Sequence, residues 1–306
     1  MLLIVAAILA SATAGVWAER RYGGRAGLAA RKAMLAVLYG LLPPVIFFNL
    51  ARAELDVDAA AGIGLAYVSL AITIALAWVL AARVLHLPRR GVGAVICAAM
   101  APNTGYLGYP VVAALLGLGA LSEAVAYDIL VSSPMLLLGV FAVGAAFGDR
   151  AGEGVSERVI AFLTRNPPLY AAIAALLAPD ALAPDVLVDA SRIALIAVLP
   201  LGFVAVGAAL AEETEGGRIR FPPRFDAPVA TAVALRLAVA PALLFILAAP
   251  LIDLPDTYLL LAAMPTGLNT MVVAHAYGLD LRISAGAIAW STAIAVVGLS
   301  VGTLVW

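Results

Sequence analysis

Pro102-Asn103-Thr104-Gly105-Tyr106-Leu107-Gly108-Tyr109-Pro110 lies inside the apolar run 91–118, and it decides how the chain is read. Each proline removes a backbone donor and frees a carbonyl, and each glycine lowers helix propensity. The stretch therefore predicts a helix that is kinked or unwound near its middle. In hydrocarbon, unwound backbone is tolerated only where it is buried in protein or lines a polar cavity. A break here is expected to be a site.

A second break matches it. Pro265-Thr266-Gly267-Leu268-Asn269-Thr270 falls within the apolar run 257–277. Asn103 is 12 residues beyond Gly91 and Asn269 is 12 beyond Thr257. At about 1.5 Å per residue each lies roughly 18 Å deep, close to the centre of a core about 30 Å thick. Two breaks at one depth, approached from opposite faces, predict two discontinuous helices that cross. Such a crossing presents half-helix N-termini, which favour an anion, together with freed carbonyls that suit a cation or a donor. The candidate substrate-binding residues are Pro102, Asn103, Thr104, Gly105, Pro265, Thr266, Gly267 and Asn269, with Thr270 beside them. The bland reading is two kinked helices whose asparagines pair with each other.

The rest of the chain fits around these two runs. Eight further apolar stretches, 2–18, 33–51, 59–82, 121–148, 161–179, 193–211, 227–250 and 283–305, bring the expected number of transmembrane helices to ten. Arginines test that number, because cytoplasmic connections retain them. Odd-numbered connections and their edges hold Arg20, Arg21, Arg89, Arg90, Arg218 and Arg220 among others, and even-numbered ones only Arg52 and Arg192. The alternation places both termini outside. Ten spans divide into two halves of five, and an odd number per half inverts the second against the first. The halves are 1–148 and 167–306, joined by a cytoplasmic linker at 149–166. Leu42-Pro43-Pro44 in the second span and Leu199-Pro200-Leu201 in the seventh echo each other in the same way.

Composition excludes several classes. With 64% hydrophobic and 12% charged residues, and a mean hydropathy of +1.08, the chain is too apolar for a soluble domain. A net charge of -1 leaves no basic field for nucleic acid. The single cysteine, Cys97, makes no intrachain disulfide, and two histidines, His86 and His275, suggest no metal site. An intramembrane enzyme would need a nucleophile with a base, and the only lysine, Lys32, lies at a membrane edge. No cofactor and no catalytic residue is expected. Met1 to Ala18 lacks the basic start of a signal peptide and reads as the first span.

Charged residues inside spans are expensive and mark function or structure. Arg236, in the eighth span, reads either as a countercharge for an anion or for Asp128, or as a structural group bonded to carbonyls freed beside Pro241. Asp128, in the fifth, reads as a proton-coupling group, a cation ligand or a partner of a helix end. His275 falls near the cytoplasmic end of the ninth.

The first motif resembles the span-four signature of the auxin efflux carrier family. Met264-Pro265-Thr266-Gly267-Leu268-Asn269, with Ala274-His275-Ala276-Tyr277-Gly278-Leu279-Asp280, is similar to that family's span-nine signature. Arg236 with Pro241, and Tyr127-Asp128, also fit its patterns. The resemblance implies a bile-acid-symporter-like fold, in which spans 1, 2, 6 and 7 form a scaffold and spans 3–5 and 8–10 a mobile core. It further implies a secondary active transporter in the plasma (inner) membrane that carries a small carboxylate, auxin-like or a dicarboxylate, by an elevator motion. A homodimer through the scaffold follows from the same resemblance, while proton or sodium coupling stays open. The chain departs from the family pattern at His275, where an acidic residue is common, and in its short linker. Two alternatives share the fold: a sodium-coupled bile-acid-type symporter and a non-transporting receptor.

Overall fold

The computed structural model describes residues 2–53, 56–149, 155–164, 166–197, 199–215 and 223–305. These residues form helices throughout, apart from turns and one isolated pair of bridged residues. In chain order the α-helices are α1 (Leu2–Tyr22), α2 (Gly24–Ala36), α3 (Leu42–Leu50), α4 (Val57–Val79), α5 (Arg89–Met100), α6 (Tyr109–Leu115), α7 (Leu121–Tyr127) and α8 (Phe141–Phe147). They continue with α9 (Val155–Thr164), α10 (Pro167–Leu177), α11 (Asp185–Ala197), α12 (Leu199–Glu215), α13 (Ala227–Ala234), α14 (Ala240–Ala248), α15 (Asp256–Ala262), α16 (Asn269–Tyr277) and α17 (Leu281–Val305).

Among the described residues, five helical stretches are long and apolar enough to cross a membrane: Val57–Val84, Leu118–Phe147, Asp185–Ala205, Ala227–Ala248 and Leu281–Leu299. Tyr39–Leu50 and Pro167–Leu177 are shorter apolar helices. The two runs with paired breaks are absent from the long set because each is split, into α5 and α6 and into α15 and α16. Charge-bearing breaks in the sequence coincide with helix starts. The Asp56 carboxylate accepts from the Ala59 N–H at 2.7 Å and the Asp226 carboxylate from the Val229 N–H at 3.3 Å. Pro88 and Pro255 stand at the caps of α5 and α15.

Several boundaries move from their expected places. The first helix runs on to Tyr22, and α2 begins at Gly24, so the basic stretch 20–32 is helical rather than a loop. The seventh stretch starts at Asp185 instead of 193, and the sixth is divided, with Asn166 capping α10. Hydropathy marks only where the apolar face begins, whereas backbone hydrogen bonding carries a helix past its charged ends. Part of the linker, 150–154 and 165, and Arg218 and Arg220 lie outside the described residues.

Packing pairs the elements in a repeating way. α1 lies along α12, and α3 lies along α10. The α1–α12 seam is tight because of two glycines. A Cβ at Gly15 would overlap the Val204 carbonyl, and one at Gly207 would overlap that of Ala12. Small residues let the two backbones approach where side chains would hold them apart. Elsewhere α5 packs on α17 and α15 on α7, while α4 lies against α14. Residues 91–100 of α5 are all buried, so the broken helix begins in the centre of the molecule.

Candidate functional site

The two breaks meet. Pro102 leaves its predecessor poorly able to stay helical, and Ala101 is extended at φ -108°, ψ 98°. The chain then passes antiparallel to Pro265–Gly267. The Asn103 N–H donates to the Pro265 carbonyl and the Gly267 N–H to the Ala101 carbonyl, both at 2.7 Å. Pro102 and Thr266 sit opposite each other between these bonds. In an antiparallel pair of this type the N–H of the central residue points away from the partner. Proline, which has none, is therefore tolerated at 102, while the Thr266 N–H turns outward and donates to Ser291 Oγ at 3.0 Å. Gly267 is required by the approach itself, since a Cβ there would lie 3.1 Å from the Pro102 carbonyl oxygen.

The reciprocal bonds define a local two-fold relation in which Asn103 matches Gly267 and Gly105 matches Asn269. That changes the register expected from depth alone, which equated Asn103 with Asn269. The two asparagines also differ in surroundings. Asn103 is buried, its Oδ1 caps the following turn through the Tyr106 N–H at 3.3 Å, and its Nδ2 has no partner among the described residues. Asn269 opens α16 and is exposed. A Cβ at Gly105 would meet nothing within 4 Å, so both matched positions border open space.

Several carbonyls freed at the ends of α5 and α15 have partners. Thr266 Oγ1 donates to the Ala98 carbonyl at 3.0 Å. Arg236, 1% exposed, sends Nη1 to the Ala99 carbonyl at 3.0 Å and Nη2 to the Ala262 carbonyl. One guanidinium thus closes the C-termini of both leading half-helices, which otherwise end in unpaired acceptors. Arg236 forms no ion pair with Asp128 among the described residues. Asp128 accepts instead from Thr104 Oγ1 and, at 2.6 Å, from the Tyr109 hydroxyl, so its carboxylate holds the first turn of the second half of the broken helix. Thr270 Oγ1 donates to the Gly267 carbonyl at 2.7 Å.

His275 lies elsewhere. It is exposed near the end of α16, where Gly278 ends the helix at φ 75°, and it lines an open cleft of about 440 Å³ with Arg90, Asp149, Asp280 and Arg282. A second cleft, about 390 Å³, is lined by Arg52, Asp185, Asp189 and Arg192. Neither is at the crossing. Trp290 is a structural residue, donating from Nε1 to the Pro223 carbonyl at 3.0 Å.

Sequence reasoning missed three participants. They are Tyr109, Arg192 and Ser291, a hydroxyl in a long apolar helix. Arg192 Nη2 reaches Ser122 Oγ at 2.9 Å, joining α11 to α7. Tyr109 alone carried a signal, since it falls five residues after Thr104 on the same broken helix.

A polytopic α-helical chain with two interrupted helices crossing at paired prolines has the form of a membrane transport protein. Residues 153–303 match the family model described as membrane transport protein. An uncharacterized transporter of Methanocaldococcus jannaschii is 26% identical over 225 residues, covering 70% of this chain and 68% of that protein. Both matches support a transporter of the auxin efflux carrier family.

Proposed function

We propose that the chain is a secondary active transporter of a small carboxylate, built from two inverted five-helix halves. The reciprocal bridge between Pro102 and Thr266 carries the reading, because it aims two half-helix N-termini at the middle of the molecule. The ten-span inverted architecture is supported by the way contacts exchange between halves: α1 with α12 mirrors α10 with α3, and α5 with α17 mirrors α15 with α7. The substrate would sit beside Gly105 and Asn269, with the unpartnered Asn103 Nδ2 as a buried donor to a carboxylate oxygen.

Spans 1, 2, 6 and 7 act as the scaffold against which spans 3–5 and 8–10 move. In the arrangement described here the contact is closed on one side. A Cβ at Gly202, on α12, would overlap the Tyr106 ring, and Arg192 holds Ser122. With the termini outside, the half-helix carrying Tyr106 is the outer one and the half-helix opening at Asn269 is the inner one. The closed outer contact and exposed Asn269 then describe a cytoplasm-facing state. The membrane is the plasma (inner) membrane, and the scaffold is the surface for a homodimer.

Reconstitution into liposomes, with labelled malonate, malate and indole-3-acetate offered under pH, sodium and voltage gradients, tests the proposal. Uptake of at least one anion by the wild-type chain, and its loss in Asn103→Ala and Asn269→Ala, is expected. No uptake of any anion, or full uptake by both variants, would sink it.

A further inference from the structure

We infer that Arg236 is a built-in cation of the crossing, holding the place between the half-helix C-termini that a bound monovalent cation would otherwise occupy, so that substrate movement needs no alkali ion. The C-termini of α5 and α15 both end at the crossing, and each carries partial negative charge. Two such ends brought together in an apolar interior repel one another unless a positive charge lies between them. Unwound carbonyls of this kind are also what coordinates sodium or protons in transporters with discontinuous helices.

Here four of those carbonyls are already engaged. The Ala99 and Ala262 carbonyls accept from Arg236, that of Ala98 from Thr266, and that of Ala101 from Gly267. Asp128 is engaged by Thr104 and Tyr109. No acidic side chain lies within 89–115 or 257–277 to build a competing cation site. Arginine suits the position because its planar fork donates to two acceptors in different directions while keeping its charge. Its Nε is buried without a partner, so the group is held there by two helix ends and not by a matched carboxylate. A covalently attached charge moves with its domain in both directions and draws nothing from a cation gradient. That consequence rests on the transport reading, but the placement of the charge does not.

The test compares thermal unfolding of the purified full-length chain in choline, sodium and guanidinium chlorides at equal, non-denaturing concentration. Wild type and the surface control Arg90→Ala should respond alike, unfolding together in sodium and choline and falling by the same small denaturant shift in guanidinium, against which the other variants are read. Arg236→Ala should unfold earlier and recover by roughly 5 °C in guanidinium, a shift a domain of this size shows for one or two restored hydrogen bonds. Arg236→Lys should be more stable than Arg236→Met. A Lys variant no more stable than Met, no salt-specific recovery of the Ala variant, or stabilisation of wild type by sodium would each overturn the inference. In liposomes, malonate, malate or indole-3-acetate uptake by wild type should be equal in sodium and choline, and sodium dependence would likewise overturn it. Absence of all uptake would defeat the transport reading while the unfolding comparison still decides the role of Arg236.

Discussion

Replacing Gly267 by alanine should loosen the crossing without touching any polar side chain. The added Cβ would stand 3.1 Å from the Pro102 carbonyl oxygen and 3.3 Å from that of Ala101. Both are backbone atoms, and the second accepts the Gly267 N–H at 2.7 Å, so neither can rotate aside. The two segments must separate by a few tenths of an ångström, which stretches both bridge bonds together. Overpacking of a rigid interior typically costs about 1–3 kcal/mol, and each kcal/mol lowers the unfolding midpoint by roughly 2–4 °C in a chain of a few hundred residues. Gly105→Ala is the matched comparison, because its Cβ meets nothing within 4 Å. Fluorescence-detected thermal unfolding in detergent should therefore place Gly267→Ala several degrees below wild type and Gly105→Ala at or above it. Equal midpoints for the two variants would refute the claim that backbone approach at 102–266 organises the centre of the protein.

Further predictions concern access and motion. Cys97 is fully buried and should resist maleimide in the intact protein, so Asn269→Cys should label readily while Thr266→Cys does not; mass spectrometry reads the difference. Asp128→Asn should weaken the hold on Thr104 and Tyr109 and lower uptake more than tenfold, by analogy with about 1.5–3 kcal/mol for hydrogen bonds to a charged group. Gly202→Leu should drive Tyr106 off α12, raising labelling of a cysteine placed at Gly105. Arg192→Ala should act in the same direction, more weakly, through loss of the bond to Ser122.

The paired interruptions were legible because proline and glycine cluster there: Pro134 and Pro241 alone leave their helices continuous, whereas Pro102 with Gly105 and Pro265 with Gly267 fall where the helices unwind. The caps at Asp56, Asp226 and Asn166 are equally local, each side chain accepting from the N–H three residues on, though none of them was assigned from the sequence. The register between the breaks was not legible, since residues counted from a span's start carry no information about which backbone atoms meet. Counting put Asn103 level with Asn269, whereas the bridge bonds Asn103 to Pro265 and makes Gly267 its two-fold equivalent. Arg236 shows the same limit. Its sequence position allowed a substrate countercharge, an Asp128 partner or a ligand of carbonyls freed beside Pro241, and the structure brings it instead to the carbonyls of Ala99 and Ala262, 137 and 26 residues away on two other helix ends.

What the sequence determined by itself was the solvent and the places where the helices fail. Hydropathy summed over some twenty residues reports the medium, and proline clustered with glycine reports the break. Only the tertiary structure decided that the two breaks bond to each other, that one asparagine is buried and the other exposed, and that one arginine closes both half-helices. Those outcomes depend on which surfaces meet, and contact between segments more than 150 residues apart is a property of packing that no local pattern encodes.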